Sequence, residues 1–275
     1  MNGDPVQQRF RLRVRYGKLG RCAYLGHLEV MHSVERIVRR AGLPYAVTQG
    51  FSPRMKAAFT SALPVGTAST CEYFDVYLTD LVDAAEALER LRASSPADLM
   101  PSRAAYVDLR APALTAAITR VGYRIELWPR DGAPAAADVR AAMADVRAQG
   151  SIPFSRGKKR KVLDLERFLV DARVGEEAGP IVLDLDTRTS NEGSLRPEVL
   201  LAALDRRLCA SGLEEAPIES TGVQEYGAFA RVSICRCFQC IEDGDGTLSS
   251  PLPEPAARPV PPLAAQSGQG GPEPA

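Results

Sequence analysis

The sequence predicts an α+β protein of two ferredoxin-like lobes followed by a disordered tail. Three observations carry this. Stretches of strict period-two alternation, such as "RFRLRVRY" over residues 9–16, mark half-buried strands. Stretches of helical periodicity lie between them in the order β-α-β-β-α-β, and the theme returns less clearly after residue 115. Beyond residue 240 the apolar pattern gives way to proline, glycine and alanine, with eight of the 21 prolines in the last 35 residues.

The first lobe covers residues 9–110. In its opening strand Phe10, Leu12, Val14 and Tyr16 take one face and Arg9, Arg11, Arg13 and Arg15 the other. "YGKLGRCAYLG" is a polar loop, and "HLEVMHSVERIVRRAG" reads as an amphipathic helix with Leu28, Met31, Val34, Val38 and Ala41 on one stripe and Gly42 as its stop. "PYAVT" is expected as a short strand, followed by a long Gly/Pro/Ser-rich connection from "QGFSPRMK" to "TAST". "EYFDVYLT" alternates again, "DAAEALERLRASS" is a second helix, and "LMPSRAAYVDL" closes the lobe as a strand. In the β-α-β-β-α-β fold the first and third strands are adjacent, which sets Arg11, Arg13 and Arg15 beside Tyr73 and Tyr77 on the face without helices.

The second lobe covers residues 115–240. "RVGYRIELW", "GPIVLDLDTR" and "ARVSICRCF" read as strands; "AAADVRAAMADVRAQG" and "RPEVLLAALDRRL" read as helices, the latter with Pro197 in its first turn. "FSRGKKRKVLDLERFLVDARV" fits strand, loop and helix alike. Residues 241–275 form the expected disordered tail.

Charge is balanced overall, with 34 basic and 34 acidic residues, but unevenly placed. Residues 1–60 hold eleven basic and three acidic residues, a net +8, offset by −8 over the rest. Such asymmetry marks an end that binds polyanions or docks on acidic protein. The start lacks a basic region followed by an apolar one, and no apolar run approaches the roughly 18 residues that span a bilayer. A soluble, cytoplasmic protein with no membrane contact is the expectation. The six cysteines do not read as a disulfide framework in such a chain.

Four segments supply candidate sites. The loop before the first helix brings Lys18, Arg21 and His27 to a helix N-terminus, where open amides favour a phosphate; an ordinary solvated loop is the alternative. The strand arginines with Tyr73 and Tyr77 make a basic, aromatic-interleaved sheet face of the kind that neutralises and stacks single-stranded RNA. The alternative there is that the acidic half of the chain, or a partner protein, covers the face. Arg54 and Lys56 lie on a Gly/Pro-rich loop that reads as phosphate-contacting or as a structural turn around Pro53. "RGKKRK" (156–161) places five basic residues in six, among them Lys158, Lys159 and Arg160; it is either a solvated loop or a further RNA contact. Cys235, Cys237 and Cys240 have C-x-C-x₂-C spacing, but a closed metal site requires four ligands, so no metal or other cofactor is expected. His27 and His32, five apart on one helix, do not share a face.

The N-terminal motifs resemble those of a bacterial family of radical-SAM-associated (radical-SAM-linked) proteins. "RLRVRYGKLG", "GHLEVM", "RRAGLPYAVTQGFSPRMKAAF" and "LPVGTASTCEYFDVYLTD" stand in the family's order and spacing, strongly over residues 9–110 and weakly over 115–238 through "LDLDTRTSNEGSLRPEVLLAAL". The resemblance implies a protein encoded beside, or fused to, a radical SAM enzyme and without an established activity of its own. The sequence departs from the pattern at Gly26, where Ser is usual before His27, and at Arg54-Met55, where His-Pro is usual. It lacks the C-x₃-C-x₂-C motif of a radical SAM enzyme. Three functions follow as expectations: an accessory protein that binds RNA and presents it to a radical SAM partner; a metal-independent endoribonuclease with His27 as general base and Lys18 or Arg21 stabilising the phosphorane; and a protein-only adaptor.

Overall fold

The structure, a computed structural model, describes residues 9–177, 179–209, 218–220 and 225–253. The first lobe contains β1 (Phe10–Lys18), α1 (His27–Arg40), β2 (Ala57–Phe59), β3 (Thr67–Leu78), α2 (Ala84–Ala93) and β4 (Pro101–Val107). Their sheet order is β4-β1-β3-β2, every neighbour antiparallel. This is the ferredoxin-like order. The second strand is not the expected "PYAVT". Pro44 has no amide to donate, Tyr45 and Val47 make only isolated bridges, and pairing falls instead to the apolar triplet Ala57–Phe59 inside the long connection. Of the expected α1 stripe Val34, Val38 and Ala41 are buried, with Val30 and Ile37 beside them, whereas Leu28 is exposed.

A single-turn helix, α3 (Leu114–Ala117), leads into the second lobe: β5 (Arg120–Pro129), α4 (Ala136–Ala148), β6 (Ser151–Arg156), β7 (Lys159–Asp164), α5 (Leu165–Phe168), β8 (Leu169–Glu176), β9 (Ile181–Ser190), β10 (Gly193–Ser194), α6 (Pro197–Leu208), β11 (Ile218–Glu219) and β12 (Phe229–Glu242). Strands β12-β5-β9-β8 repeat the ferredoxin-like order. The ambiguous "FSRGKKRK" region resolves as a β6–β7 hairpin that forms a small separate sheet with β11 and is inserted between α4 and β8.

The two lobes share one sheet. The short β2 pairs only with residues 74–76 of β3, which leaves the other half of that edge free, and β12 pairs there in parallel, Ile234 opposite Thr67 and Arg236 opposite Ser69. Leu12, Val14, Phe74, Val76 and Leu78 pack under α1 and α2; Ile125, Leu127, Leu183 and Leu185 pack under α4 and α6. Arg236 stands opposite Tyr123 in one pairing and binds Glu72, which stands opposite Tyr16, in the other. Both helix layers therefore lie on the same face, and a crevice separates them above the β3–β12 seam.

Residues 241–253, which the composition assigns to a disordered tail, are folded onto the sheet. β12 runs to Glu242, Leu248–Ser249 (β13) folds back onto Ile241–Glu242, and Leu252 is buried on the sheet face that lacks helices. That face supplies an apolar seat and, from Arg13 and Arg103, guanidinium donors for the Pro251 and Pro253 carbonyls, so this proline-containing strap (residues 248–253) finds a binding place on its own chain. Residues 254–275, the rest of the expected tail, lie outside the described residues.

Candidate nucleic-acid interface

The helix-free face is where the sequence places RNA, and the register supports the expected neighbours: Arg11 lies opposite Tyr77, Arg13 opposite Asp75 and Arg15 opposite Tyr73. The expected exposure does not follow. Arg11 and Arg13 are each 3% exposed and converge on Asp75, which is fully buried. Arg11 donates to Asp75 through Nε (2.8 Å) and Nη2 (2.6 Å); Arg13 donates through Nε (2.7 Å) and Nη2 (3.0 Å). Their remaining donors meet backbone: Arg11 the carbonyls of Ala111 and Pro112, Arg13 that of Pro251. The cover is thus the interlobe linker and the strap, and the countercharge comes from the neighbouring strand rather than from the acidic half. Tyr73 is buried as well, which pushes its phenol up, so it cannot stack on a base. Arg15 is half-buried; its Nε has no acceptor, and its Nη2 reaches the Thr70 carbonyl at 3.4 Å. Tyr77 carries Lys56 over its ring at 4.5 Å. Further along this face Arg120 pairs with Asp186 and Glu242, Arg188 with Glu242, and Arg124 with Glu177. The face is a compensated mosaic of charge.

The expected loop cluster also separates. Lys18 is buried and donates to the Ala23 and Thr67 carbonyls (2.8 and 3.3 Å), and burial lowers its pKa. Arg21 is exposed, with its amide on Asp98. Arg54 is exposed in the 49–54 loop. Of the three, His27 lines the interlobe cavity, and Lys18 meets it in a small adjoining pocket of about 20 Å³. The bulge between Arg236 and Phe238 leaves Cys237 without a register partner, so Cys235 and Cys237 do not continue one alternation. Among the described residues no group of three His, Cys, Asp or Glu side chains is arranged to hold a metal ion.

The crevice gathers polar side chains from both lobes. Its cavity, about 530 Å³, is lined by His27 at the start of α1, by Arg196 and Glu198 at the start of α6, by Arg156 from the β6–β7 hairpin, and by Tyr123 and Arg236 on the sheet. Its floor is a buried network: Arg236 Nη1 donates to both Glu72 oxygens (3.1 and 3.3 Å), Gln239 Nε2 to Glu72 (3.3 Å) and Thr60 Oγ1 to Glu72 (2.8 Å). Burial works most strongly against the charge on Arg236, but the Glu72 carboxylate together with Tyr123 and Cys71 more than offsets it and raises the guanidinium's pKa. Glu198 accepts from Arg196 Nη1 (3.2 Å) and Ser220 Oγ (3.0 Å). From this wall the hairpin extends Lys158, Lys159, Arg160 and Lys161, all exposed, with no ion pair among the described residues.

Sequence reasoning missed Arg236, Glu72, Tyr123, Arg196 and Glu198. A signal was present for two of them. Glu72 continues the core-facing alternation of Phe74, Val76 and Leu78, and Arg236 continues that of Val232 and Ile234. A charge on the buried face of a strand requires a buried partner, and here each is the other's.

Fold and crevice together define a class: an α+β protein of two ferredoxin-like lobes joined through one sheet, with a charged cavity between its helix layers. Residues 11–197 match the family described as "Uncharacterized protein conserved in bacteria (DUF2344)", and the chain belongs to that family. No curated protein matches the chain. Among solved structures, a chain of a Cbf5-Nop10-Gar1 complex is similar at 11% identity and TM-score 0.44 over 84% of this chain, which spans half the length of that one. An unknown protein from Galdieria sulphuraria is similar at 12% identity and TM-score 0.24, over 82% of this chain and 96% of that one.

Proposed function

We propose that this chain is a cytoplasmic RNA-binding accessory protein that works with a radical SAM enzyme, holding RNA along the interlobe crevice and its basic hairpin. One observation carries the RNA reading. Arg156, Lys158, Lys159, Arg160 and Lys161 have no ion pair among the described residues and lead into a cavity floored by Arg236, whereas Arg11 and Arg13 on the strand are neutralised and covered. Unneutralised cations on an edge are the groups that exchange counterions for phosphates. The partner rests on the resemblance of the N-terminal motifs to radical-SAM-linked proteins. No helix of the described residues is long and apolar enough to cross a membrane.

Salt-titrated binding to unstructured RNA tests the reading. Each neutralised phosphate on a single strand contributes about −0.7 to the slope of log affinity against log salt. Lys158→Gln with Arg160→Gln should flatten the slope by roughly 1.4, and the triple change Arg11→Met, Arg13→Met, Asp75→Leu, which leaves no buried charge unpaired, should leave it unchanged. The reverse pattern returns the RNA to the sheet face. Co-purification of a radical SAM enzyme that survives ribonuclease, from a protein that binds no RNA, supports the adaptor function instead. The endoribonuclease reading keeps one favouring observation, the placement of His27 in the cavity with Arg236; RNA cleavage by the chain, lost in His27→Ala, would establish it.

A further inference from the structure

One corner of the crevice combines two separate demands for an oxyanion. The first is the start of α1, a helix of 14 residues whose N-cap is Gly26. Glycine has no side-chain acceptor for first-turn amides. The carboxylate of Glu29 turns back only to the Gly26 amide (2.7 Å), and intrahelical bonding starts with Val30 N–H to the Gly26 carbonyl. The amides of His27, Leu28 and Glu29 thus precede the first helical hydrogen bond, at the positive pole of the helix.

The second demand is Arg236. Its side chain is 4% exposed; its hydrogen bonds to Glu72, Gln239 and the Ser61 carbonyl (3.3 Å) all run through Nη1, and the Tyr123 side chain is its other polar neighbour. Its Nε–H is buried and finds no acceptor. A guanidinium binds oxyanions best through two parallel donors, and the edge that contains Nε is free of carboxylate. Ser61 joins the two demands: its carbonyl touches Arg236, and it lines the same cavity as Gly26 and His27.

We infer that this corner is a phosphate subsite, in which one phosphate group of a nucleotide caps α1 and engages Arg236, with His27 beside it. A cavity of about 530 Å³ accommodates the attached nucleoside. The inference rests on the crevice reading above and sharpens it to a ligand group. The phosphate belongs either to an internal linkage of RNA or to a terminal or free nucleotide.

Titration calorimetry of the full chain with inorganic phosphate, uridine monophosphate, and short oligouridylates carrying a 5′-hydroxyl or a 5′-phosphate tests it. The decisive variant is Ser61→Asp. Ser61 is exposed, so the change leaves the buried network intact and adds a carboxylate to a residue that lines the cavity and whose carbonyl contacts Arg236. Affinity for phosphate-bearing probes should fall at least about tenfold through like-charge repulsion, with thermal stability kept, and Ser61→Asn should bind as the parent does. Ser61-dependent binding of the monophosphate assigns a terminal or free phosphate; Ser61-dependent binding of both oligonucleotides alike, without the monophosphate, assigns an internal linkage. If Ser61→Asp binds every probe as the parent does, the subsite is refuted, and the RNA reading stands or falls on the hairpin variants alone. If the monophosphate binds in a Ser61-dependent way and RNA does not bind, the subsite stands and the RNA reading falls.

Discussion

Replacing Asp75 by Asn should destabilise the protein by about 3–5 kcal/mol, the range for breaking a buried ion pair from one side. The substitution preserves shape, so no cavity forms and the effect isolates charge. In the parent, both carboxylate oxygens accept from two guanidiniums at 2.6–3.0 Å, and all three groups are almost completely buried. At an effective dielectric of about 20, each charge pair at roughly 4 Å is worth about 4 kcal/mol before desolvation. Asn keeps one acceptor oxygen and turns an amide toward a guanidinium, leaving two buried positive charges without a countercharge. Calorimetry should record a melting temperature lower by roughly 10 °C, at about 2–4 °C per kcal/mol for a chain of this size class. Replacing the three charges together by apolar residues (Arg11→Met, Arg13→Met, Asp75→Leu) should recover much of the loss, since an apolar cluster of similar volume needs no countercharge. An Asp75→Asn protein within about 0.5 kcal/mol of the parent would refute the reasoning: the arginines would then reach water, and the sheet face would again be open to RNA.

Three further outcomes can be measured. A Cβ at Gly122 would lie 2.0 Å from the Phe238 ring, so Gly122→Ala should destabilise by about 1–3 kcal/mol through overpacking, and by less when combined with Phe238→Leu. Burial pushes the Cys71 thiol up to about 12, and the side chain is 1% exposed; timed alkylation at neutral pH should modify exposed Cys209 and Cys237 while Cys71 waits for unfolding. A hydrogen bond from Arg188, assisted by Arg120, holds the Glu242 carboxyl below its ordinary value. A folded-state pKa below the unfolded one stabilises at pH values above the unfolded pKa, and that contribution fades as pH falls through the folded value. Acid unfolding of Glu242→Gln should accordingly show a weaker pH dependence below about pH 4.5 than that of the parent.

By itself, the sequence determined the two lobes. Alternation and helical period reflect which side of each element must leave water, and that is local information, legible at "RFRLRVRY", "EYFDVYLT" and "RIELW". It also determined the neighbours of the strand arginines, because the β-α-β-β-α-β order dictates that the first and third strands meet. It did not determine what covers them. Polar alternation reports only that a face is not apolar. A guanidinium satisfied by Asp75 and the Pro251 carbonyl reads the same along the chain as one waiting for a phosphate. The tertiary structure decided three things: that Leu252 and the strap seat on that face, that β12 takes the free half of the β3 edge, and that Arg236 and Glu72 meet beneath the crevice. Each depends on a contact between residues more than 150 positions apart, across lobes that local periodicity describes separately. A buried charge becomes intelligible only when its partner is known, and in this chain the partners come from distant strands.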